Sequence, residues 1–147
     1  MCIRDSACIY VSDPSTADVA AWVYPTFARV GRYKIPAVKD SGFGMGVAGR
    51  GGFLFSSYST TEDQFLIATW DIGSGCALTL VTTFDIPGNV NGMAISPNGQ
   101  TLIATYGYPF PSVDSFSVAT DGTPVSYTHL DVYKRQVAHR ANPSLLS

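Results

Sequence analysis

Short runs of apolar and β-branched residues, separated by turn residues, follow one another along most of the chain. Residues 76–86 alternate with a period of two, which places five side chains on one face: Leu78, Leu80, Thr82, Phe84 and Ile86. Further runs occur at 7–12, 19–24, 53–58, 65–72, 90–95, 101–106 and 113–119. No long stretch has the 3.6-residue period of a helix, so the pattern predicts an all-β protein.

A repeat orders these runs. Placing Met45 over Met93, an offset of 48 residues, aligns 44–48 with 92–96 and also superimposes two later pairs, Leu54 with Leu102 and Tyr58 with Tyr106. Residues 9–13 fall one period earlier, against 53–57, at a slightly shorter offset. Four strands in about 40–50 residues is the period of a β-propeller blade.

We therefore predict a partial β-propeller with two to three four-stranded antiparallel blades. The expected blades are 7–35, without an inner strand, then 43–86 complete, and 90–123 ending before its outer strand. A blade buries its two faces only against neighbouring blades, which explains large side chains on both faces of the inner strands. A β-sandwich with an accidental repeat is the alternative.

The two ends of the chain are one nucleotide string translated in different frames. Residues 131–136 (DVYKRQ) fit GATGTGTATAAGAGACAG, and the same string read one base later gives 1–6 (MCIRDS). Residues 125–130 (VSYTHL) fit its reverse complement. The string resembles a transposon mosaic-end sequencing adaptor. We predict translated adaptor at 1–6 and 124–136, a tail of unassigned origin at 137–147, and a propeller segment of a longer protein at 7–123.

This division changes the chemistry available to the protein. Both histidines, His129 and His139, lie outside 7–123. That segment contains five basic and nine acidic residues. The segment has no basic patch for nucleic acid and no apolar run long enough to span a membrane. Cys8 and Cys76 either form a disulfide or are buried free thiols. Low charge and abundant Ser, Thr, Gly and Tyr favour a periplasmic or extracellular protein.

One segment carries a family resemblance. Residues 91–102 (NGMAISPNGQTL) resemble the blade motif of the YVTN-repeat and lactonase-like propellers, and 116–118 with 121–123 resemble that family's third strand and turn. Residues 9–13 and 18–25 are similar to NHL-type propellers. The resemblance implies a ring of about seven blades. Its motif is structural, so it carries over no catalytic residue, and whether the chain is an enzyme stays open.

Three other motifs have structural and functional interpretations. Residues 44–49 match GxGxxG, but a strand rather than a helix follows, so we expect a propeller strand and no dinucleotide. Asp13 and Asp18 flank a turn with too few oxygens for Ca²⁺, and we expect no metal. Trp22 and Trp70 fit packing between blades better than ligand stacking.

Carboxylates offer a weaker signal for acid–base chemistry. Glu62, Asp63 and Asp71 could supply the two carboxylates of a general acid and a general base. Glu62 and Asp63 fit a solvated loop tip better. No cofactor is expected.

The aromatic loop at 106–111 (YGYPFP) is the strongest candidate for binding. Its counterparts are 57–64 and 12–18, and in a propeller these loops share one rim with the link at 87–91. The predicted ligand-binding residues are Asp13, Tyr58, Asn91, Tyr106 and Tyr108. The leading hypothesis is a binding or scaffold propeller that holds a protein or glycan at this rim, and the alternative is a lactonase-like hydrolase.

Overall fold

The chain folds into three small antiparallel sheets, each built from strands that are consecutive in sequence. The structure is a computed structural model and describes residues 7–13, 16, 18–35, 46–48, 52–59, 64–109 and 111–130. Sheet 1 contains β1 (Ala7–Asp13), β2 (Asp18–Tyr24) and β3 (Ala28–Lys34). Sheet 2 contains β4 (Gly46–Ala48), β5 (Phe53–Ser59), β6 (Phe65–Ile72) and β7 (Leu78–Ile86). Sheet 3 contains β8 (Asn89–Ile95), β9 (Thr101–Tyr108), β10 (Ser112–Val118) and β11 (Pro124–Leu130).

These sheets confirm the predicted all-β propeller architecture. Sheet 1 has three strands, and the 44–49 glycine motif contributes β4 rather than the start of a helix. Sheet 3 has a fourth strand, β11, which pairs with β10 over most of its length and lies within the segment predicted to be translated adaptor. The sequence of β11 is rich in residues that favour β-strands. It pairs with β10 because the open edge of β10 offers unpaired backbone N–H and C=O groups.

Strand pairing gives the three sheets a common register. Ile9 pairs with Trp22, Leu54 with Trp70, and Leu102 with Phe116. A register shift toward the outermost strand occurs immediately before each of these aromatic residues. Ile9 is thus equivalent to Leu54, one residue later than the sequence alignment placed it. A one-residue error matters, because it moves every side chain of a strand to the opposite face.

Two hydrophobic seams hold the sheets together, and sheet 2 lies between them. The seam between sheets 1 and 2 includes Val19, Ile35, Leu54, Tyr58, Leu66 and Trp70. The seam between sheets 2 and 3 includes Phe55, Ile67, Ile86, Leu102, Tyr106 and Phe116. The central strands of sheet 2 are therefore buried on both faces, with five consecutive buried residues at 54–58 and again at 66–70. Trp70 packs in a seam as predicted, with 2% of its surface exposed.

A disulfide joins sheet 1 to sheet 2. Cys8 in β1 is bonded to Cys76, which lies in the short 3₁₀ turn Ser74–Cys76 between β6 and β7, 68 residues away in sequence. Gly75 and Cys76 both adopt left-handed φ angles, 64° and 68°. The Tyr10 hydroxyl donates a hydrogen bond to the Cys76 carbonyl across the same seam. Closing a loop of this length stabilises the folded state by about 4 kcal/mol in the chain-entropy model.

Gly122 tests the seam between sheets 2 and 3. Its φ is +83°, and a Cβ at this position would meet the Phe53 ring at 2.6 Å, so Gly122→Ala combines backbone strain with a clash. Gly52→Ala is the matched control, since Gly52 has φ +91° and open space around it. We expect urea unfolding to show a loss of about 1 kcal/mol for Gly52→Ala and about 2–4 kcal/mol for Gly122→Ala. Equal losses would contradict close packing at this seam.

Candidate functional site

All five predicted binding residues lie at one end of the sheets. This end, which we call the loop rim, contains the β1–β2, β5–β6 and β9–β10 connections and the β7–β8 link. Asp13 ends β1, Tyr58 lies one residue before the end of β5, and Asn91 is the third residue of β8. Tyr106 and Tyr108 lie at the end of β9, where Tyr108 pairs with Asn89. The Tyr108 side chain, the tip of the β5–β6 connection with Glu62 and Asp63, and Phe110 lie outside the described residues.

Three of these residues occupy one equivalent position on successive sheets. Pairing aligns Asp13 with Asp18, Tyr58 with Leu66, and Tyr106 with Ser112, and each pair lies four residues from the aligned Ile9, Leu54 and Leu102. The tyrosines are 2% and 3% exposed and lie within the seams. Their rings thus form the buried floor of the loop rim rather than its open surface.

Tyr58 ends a hydrogen-bonded chain inside the first seam. The indole Nε1 of Trp70 donates to Ser56 Oγ at 2.7 Å, and Ser56 Oγ donates to the Tyr58 hydroxyl oxygen at 3.1 Å. Burial raises the pKa of Tyr58 to about 12, the Ser56 hydrogen bond opposes this shift, and the negative charge of Asp18 adds to it. Tyr58 therefore stays protonated at neutral pH, and its ring is fixed by both packing and hydrogen bonding.

Tyr106 has a similar environment in the second seam. Burial is the main cause of a raised pKa of Tyr106, and the negative charge of the nearby Asp114 carboxylate raises it further. Asp114 is itself 4% exposed and lies on β10 of the same sheet. A phenolate at this position would lie beside a second negative charge in a buried environment, so Tyr106 stays protonated.

Arg32 forms ion pairs with the two aspartates at the end of sheet 1. Its Nη1 lies 3.0 Å from Asp18 Oδ2 and 3.7 Å from Asp13 Oδ2. Within the described part of the chain, no group of three His, Cys, Asp or Glu side chains could hold a metal ion. Among the same residues, no helix is long and apolar enough to cross a membrane. The aspartates at the first turn thus form an ion-pair cluster with a cation from β3.

Asn91 is the predicted binding residue with an exposed side chain on an innermost strand. It lies at an irregularity: Val90 pairs with Tyr106 and Gly92 with Thr105, which leaves Asn91 and Gly107 without partners in the register. The Asn91 amide occupies the space that a Cβ on Gly107 would need. Gly107 was not among the site residues predicted from the sequence. The repeat contained a signal for it, because sheet 2 has Ser59 at the equivalent position and sheet 3 has a residue without a side chain.

The remaining acidic candidates do not converge. Asp71 is exposed and pairs with Phe53, at the end of sheet 2 opposite the loop rim. Asp71 is therefore remote from Asp13 and Asn91, and the described residues contain no acid–base pair formed from it.

Comparison with known proteins gives a specific sequence relationship over half of the chain. No family model matches the chain. It is 39% identical over 83 residues to 6-phosphogluconolactonase of Yersinia pestis, an alignment that covers 50% of this chain and 25% of the relative. The chain is thus partly homologous to a lactonase-like propeller enzyme and spans about a quarter of its length.

Solved structures show the same fold at low sequence identity. The periplasmic gluconolactonase of Pseudomonas aeruginosa superimposes with a TM-score of 0.68 at 14% identity, covering 83% of this chain and 36% of that one. A chain of a mitotic checkpoint complex superimposes with a TM-score of 0.61 at 17% identity, over 85% and 36%. The three sheets therefore match about a third of propeller structures that have different roles.

The pKa of Tyr58 predicts alkaline destabilisation. Unfolded tyrosine ionises near pH 10 and buried Tyr58 near 12, so the stabilisation is complete below pH 10 and is lost as pH rises toward 12. Between these values, the free energy of unfolding should fall about 2–3 kcal/mol further for the parent chain than for Tyr58→Phe. Urea titrations in a Cys2→Ser background, which removes a thiol outside the disulfide, measure this.

Tyr24→Phe is the matched control, because Tyr24 is 49% exposed. It should retain the pH dependence of the parent chain. If Tyr58→Phe lost stability between pH 10 and 12 as steeply as the parent chain does, a buried, protonated Tyr58 would be ruled out.

Proposed function

We propose that the three sheets are blades of a lactone-hydrolysing propeller and that the loop rim contributes to the binding of a sugar lactone. The observation that carries this proposal is the 39% identity over 83 residues to a 6-phosphogluconolactonase. The fold alone would not support it, since propellers serve many functions. This chain spans a quarter of that enzyme, so the activity we propose is that of the whole propeller to which the three blades belong.

Hydrolysis of a lactone needs a water molecule activated by a base and hydrogen-bond donors for the carbonyl oxygen as it becomes negative. At the described part of the loop rim, Asn91 offers an exposed amide, whereas Asp13 is paired with Arg32. We assign Asn91 to binding of the lactone, with Gly107 leaving the space that its amide occupies. Asp13, Tyr58, Tyr106 and Tyr108 are proposed to shape the same rim.

The disulfide supports a compartment for this activity. Disulfides persist in oxidising environments such as the periplasm and are rare in the cytosol. Cys8 and Cys76 are bonded across a seam, with Cys76 2% exposed. We therefore propose a periplasmic or extracellular protein, in keeping with the periplasmic gluconolactonase that shares the fold.

A binding or scaffold propeller is the second candidate. It would use the same rim loops for a protein or a glycan, without turnover. The structural similarity to a chain of a mitotic checkpoint complex favours it, since that chain has this fold within a protein assembly. Sequence identity favours the hydrolase, because the relative that is 39% identical over 83 residues is a 6-phosphogluconolactonase.

A chimera tests the proposed activity. Residues of this chain replace the matching segment of the Yersinia pestis enzyme, and hydrolysis of 6-phosphogluconolactone and of unphosphorylated gluconolactone is measured by acid release. We expect the chimera to hydrolyse at least one lactone within about tenfold of the parent enzyme, and Asn91→Ala within the chimera to lower kcat/KM by about 10–100-fold, the cost of about 1.5–3 kcal/mol of hydrogen bonding.

Gly107→Ala is the companion variant, because its methyl group displaces the Asn91 amide, and it should reproduce most of the Asn91→Ala defect. Asn98→Ala, at the exposed β8–β9 turn on the opposite end, is the control and should leave kcat/KM unchanged. A folded chimera without activity on either lactone would favour the binding candidate.

The proposed compartment has its own test. Exported to a bacterial periplasm, the chain should carry the Cys8–Cys76 bond, seen by mass spectrometry of non-reduced peptides. Its free energy of unfolding should exceed that of the Cys8→Ser, Cys76→Ser double variant by about 4 kcal/mol. Folded, exported protein with both thiols free would contradict this proposal.

A further inference from the structure

Sheet 3 contains two Asn-Gly pairs that the structure places in different environments. Asn91–Gly92 lies within β8, and Asn98–Gly99 lies in the turn between β8 and β9. Both asparagines are exposed. A glycine after asparagine leaves its own backbone nitrogen unhindered, because it has no Cβ. Each pair is therefore chemically suited to attack of the glycine nitrogen on the asparagine side chain.

Hydrogen bonds engage both reacting groups of the pair in the turn. Asn98 Oδ1 accepts from Ser96 Oγ at 2.6 Å and from the Gln100 backbone N–H at 3.1 Å. Asn98 Nδ2 donates to Gln100 Oε1 at 3.0 Å. The Gly99 N–H donates to the Ser96 carbonyl oxygen at 2.8 Å. The side chain of Asn98 and the nitrogen that would attack it are thus both held in place.

Asn91 lies where the pairing of β8 with β9 is interrupted. The register passes from a pair formed by Val90 to a pair formed by Gly92, so Asn91 is an extra residue without a partner. An extra residue of this kind disrupts the hydrogen-bond ladder around it. Among the described residues, the Asn91 side chain forms no hydrogen bond, and its amide lies beside Gly107. Less interaction has to be broken here than in the turn before the side chain can react.

We propose that Asn91–Gly92 is a site of spontaneous deamidation and that Asn98–Gly99 is protected by its hydrogen bonds. The Gly92 backbone nitrogen attacks Asn91 Cγ, and the new C–N bond closes a five-membered succinimide. The Cγ–Nδ2 bond breaks, and Nδ2 leaves as ammonia with the proton that the Gly92 nitrogen gives up. Water then opens the ring at either carbonyl carbon. The products are aspartate and isoaspartate, whose main chain runs through Cγ.

The modification changes the chemistry of the loop rim. It replaces an amide, which donates and accepts hydrogen bonds, with a carboxylate, which only accepts them and adds a negative charge. Under the proposed function, the hydrogen-bond donor assigned to the lactone is lost as the protein ages. The modification itself depends on local structure alone and requires no lactonase activity.

Mass spectrometry of the folded, disulfide-bonded chain, incubated in mildly alkaline buffer, tests the proposal. Deamidation adds one mass unit, and fragmentation of a peptide that contains both pairs assigns the change to Asn91 or to Asn98. We expect Asn91 to be modified at least about tenfold faster, because hydrogen bonds must break before the Asn98 side chain can turn toward Gly99. Equal rates, a faster rate at Asn98, or an unmodified Asn91 would each overturn the proposal.

Two controls separate the effect of structure from that of sequence. In urea, after reduction of the disulfide, the rates at Asn91 and Asn98 should become similar, because both residues precede a glycine. Gly92→Ala should slow modification of Asn91 in the folded chain, since its Cβ hinders the attacking nitrogen. The fold tolerates this Cβ, which would meet the Thr105 hydroxyl at an ordinary contact distance of 3.4 Å. An undiminished rate in Gly92→Ala would contradict attack by the Gly92 nitrogen.

The double variant Ser96→Ala, Gln100→Ala tests the protection of the turn. It removes two of the three hydrogen bonds to the Asn98 side chain, those from Ser96 Oγ and to Gln100 Oε1. The rate at Asn98 should rise about tenfold, toward that at Asn91. Far-UV circular dichroism verifies that the variant is folded. A folded variant whose Asn98 rate equals that of the parent chain would show that these hydrogen bonds do not protect it.

Discussion

Burial of both faces of sheet 2 is the interaction on which the other features depend. Five consecutive residues of β5 and five of β6 are shielded from water, although a single small sheet can shield neither face by itself. Each seam supplies one cover, through Trp70 on one side and Phe55 on the other. The disulfide between Cys8 and Cys76 links sheet 2 covalently to sheet 1 across the first of these seams.

Much of this architecture was predictable from the sequence, because burial on alternating faces leaves a readable pattern. The repeat aligned Leu54 with Leu102 and Tyr58 with Tyr106, and both pairs are buried in equivalent places. The first blade was misaligned by one residue, since its loop is shorter and hydrophobicity alone does not distinguish the two faces of a strand that is apolar on both. The sequence left the pairing of Cys8 with Cys76 open, because the two residues are 68 positions apart and only the fold brings them together at a seam.

The candidate site shows where sequence patterns stop being informative. The repeat aligned Tyr58 with Tyr106, and strand pairing adds Asp13 as the third member of the same repeated position. Gly107 matters only because the Asn91 amide from another strand occupies its missing side chain's space, a contact that no local pattern encodes. Similarly, β11 forms because an open strand edge accepts any β-prone segment, whatever the origin predicted for its DNA.

The two buried tyrosines narrow the chemistry that this rim can supply. A phenol whose pKa burial has raised to about 12, as for Tyr58, is a poor general base and donates a hydrogen bond readily in its neutral form. The same holds for Tyr106, where the neighbouring Asp114 carboxylate adds to the effect of burial. In the described blades, therefore, seam residues set the shape of the rim, and exposed groups such as Asn91 are left to contact a ligand. A propeller can thus keep its seams constant while changing what it binds.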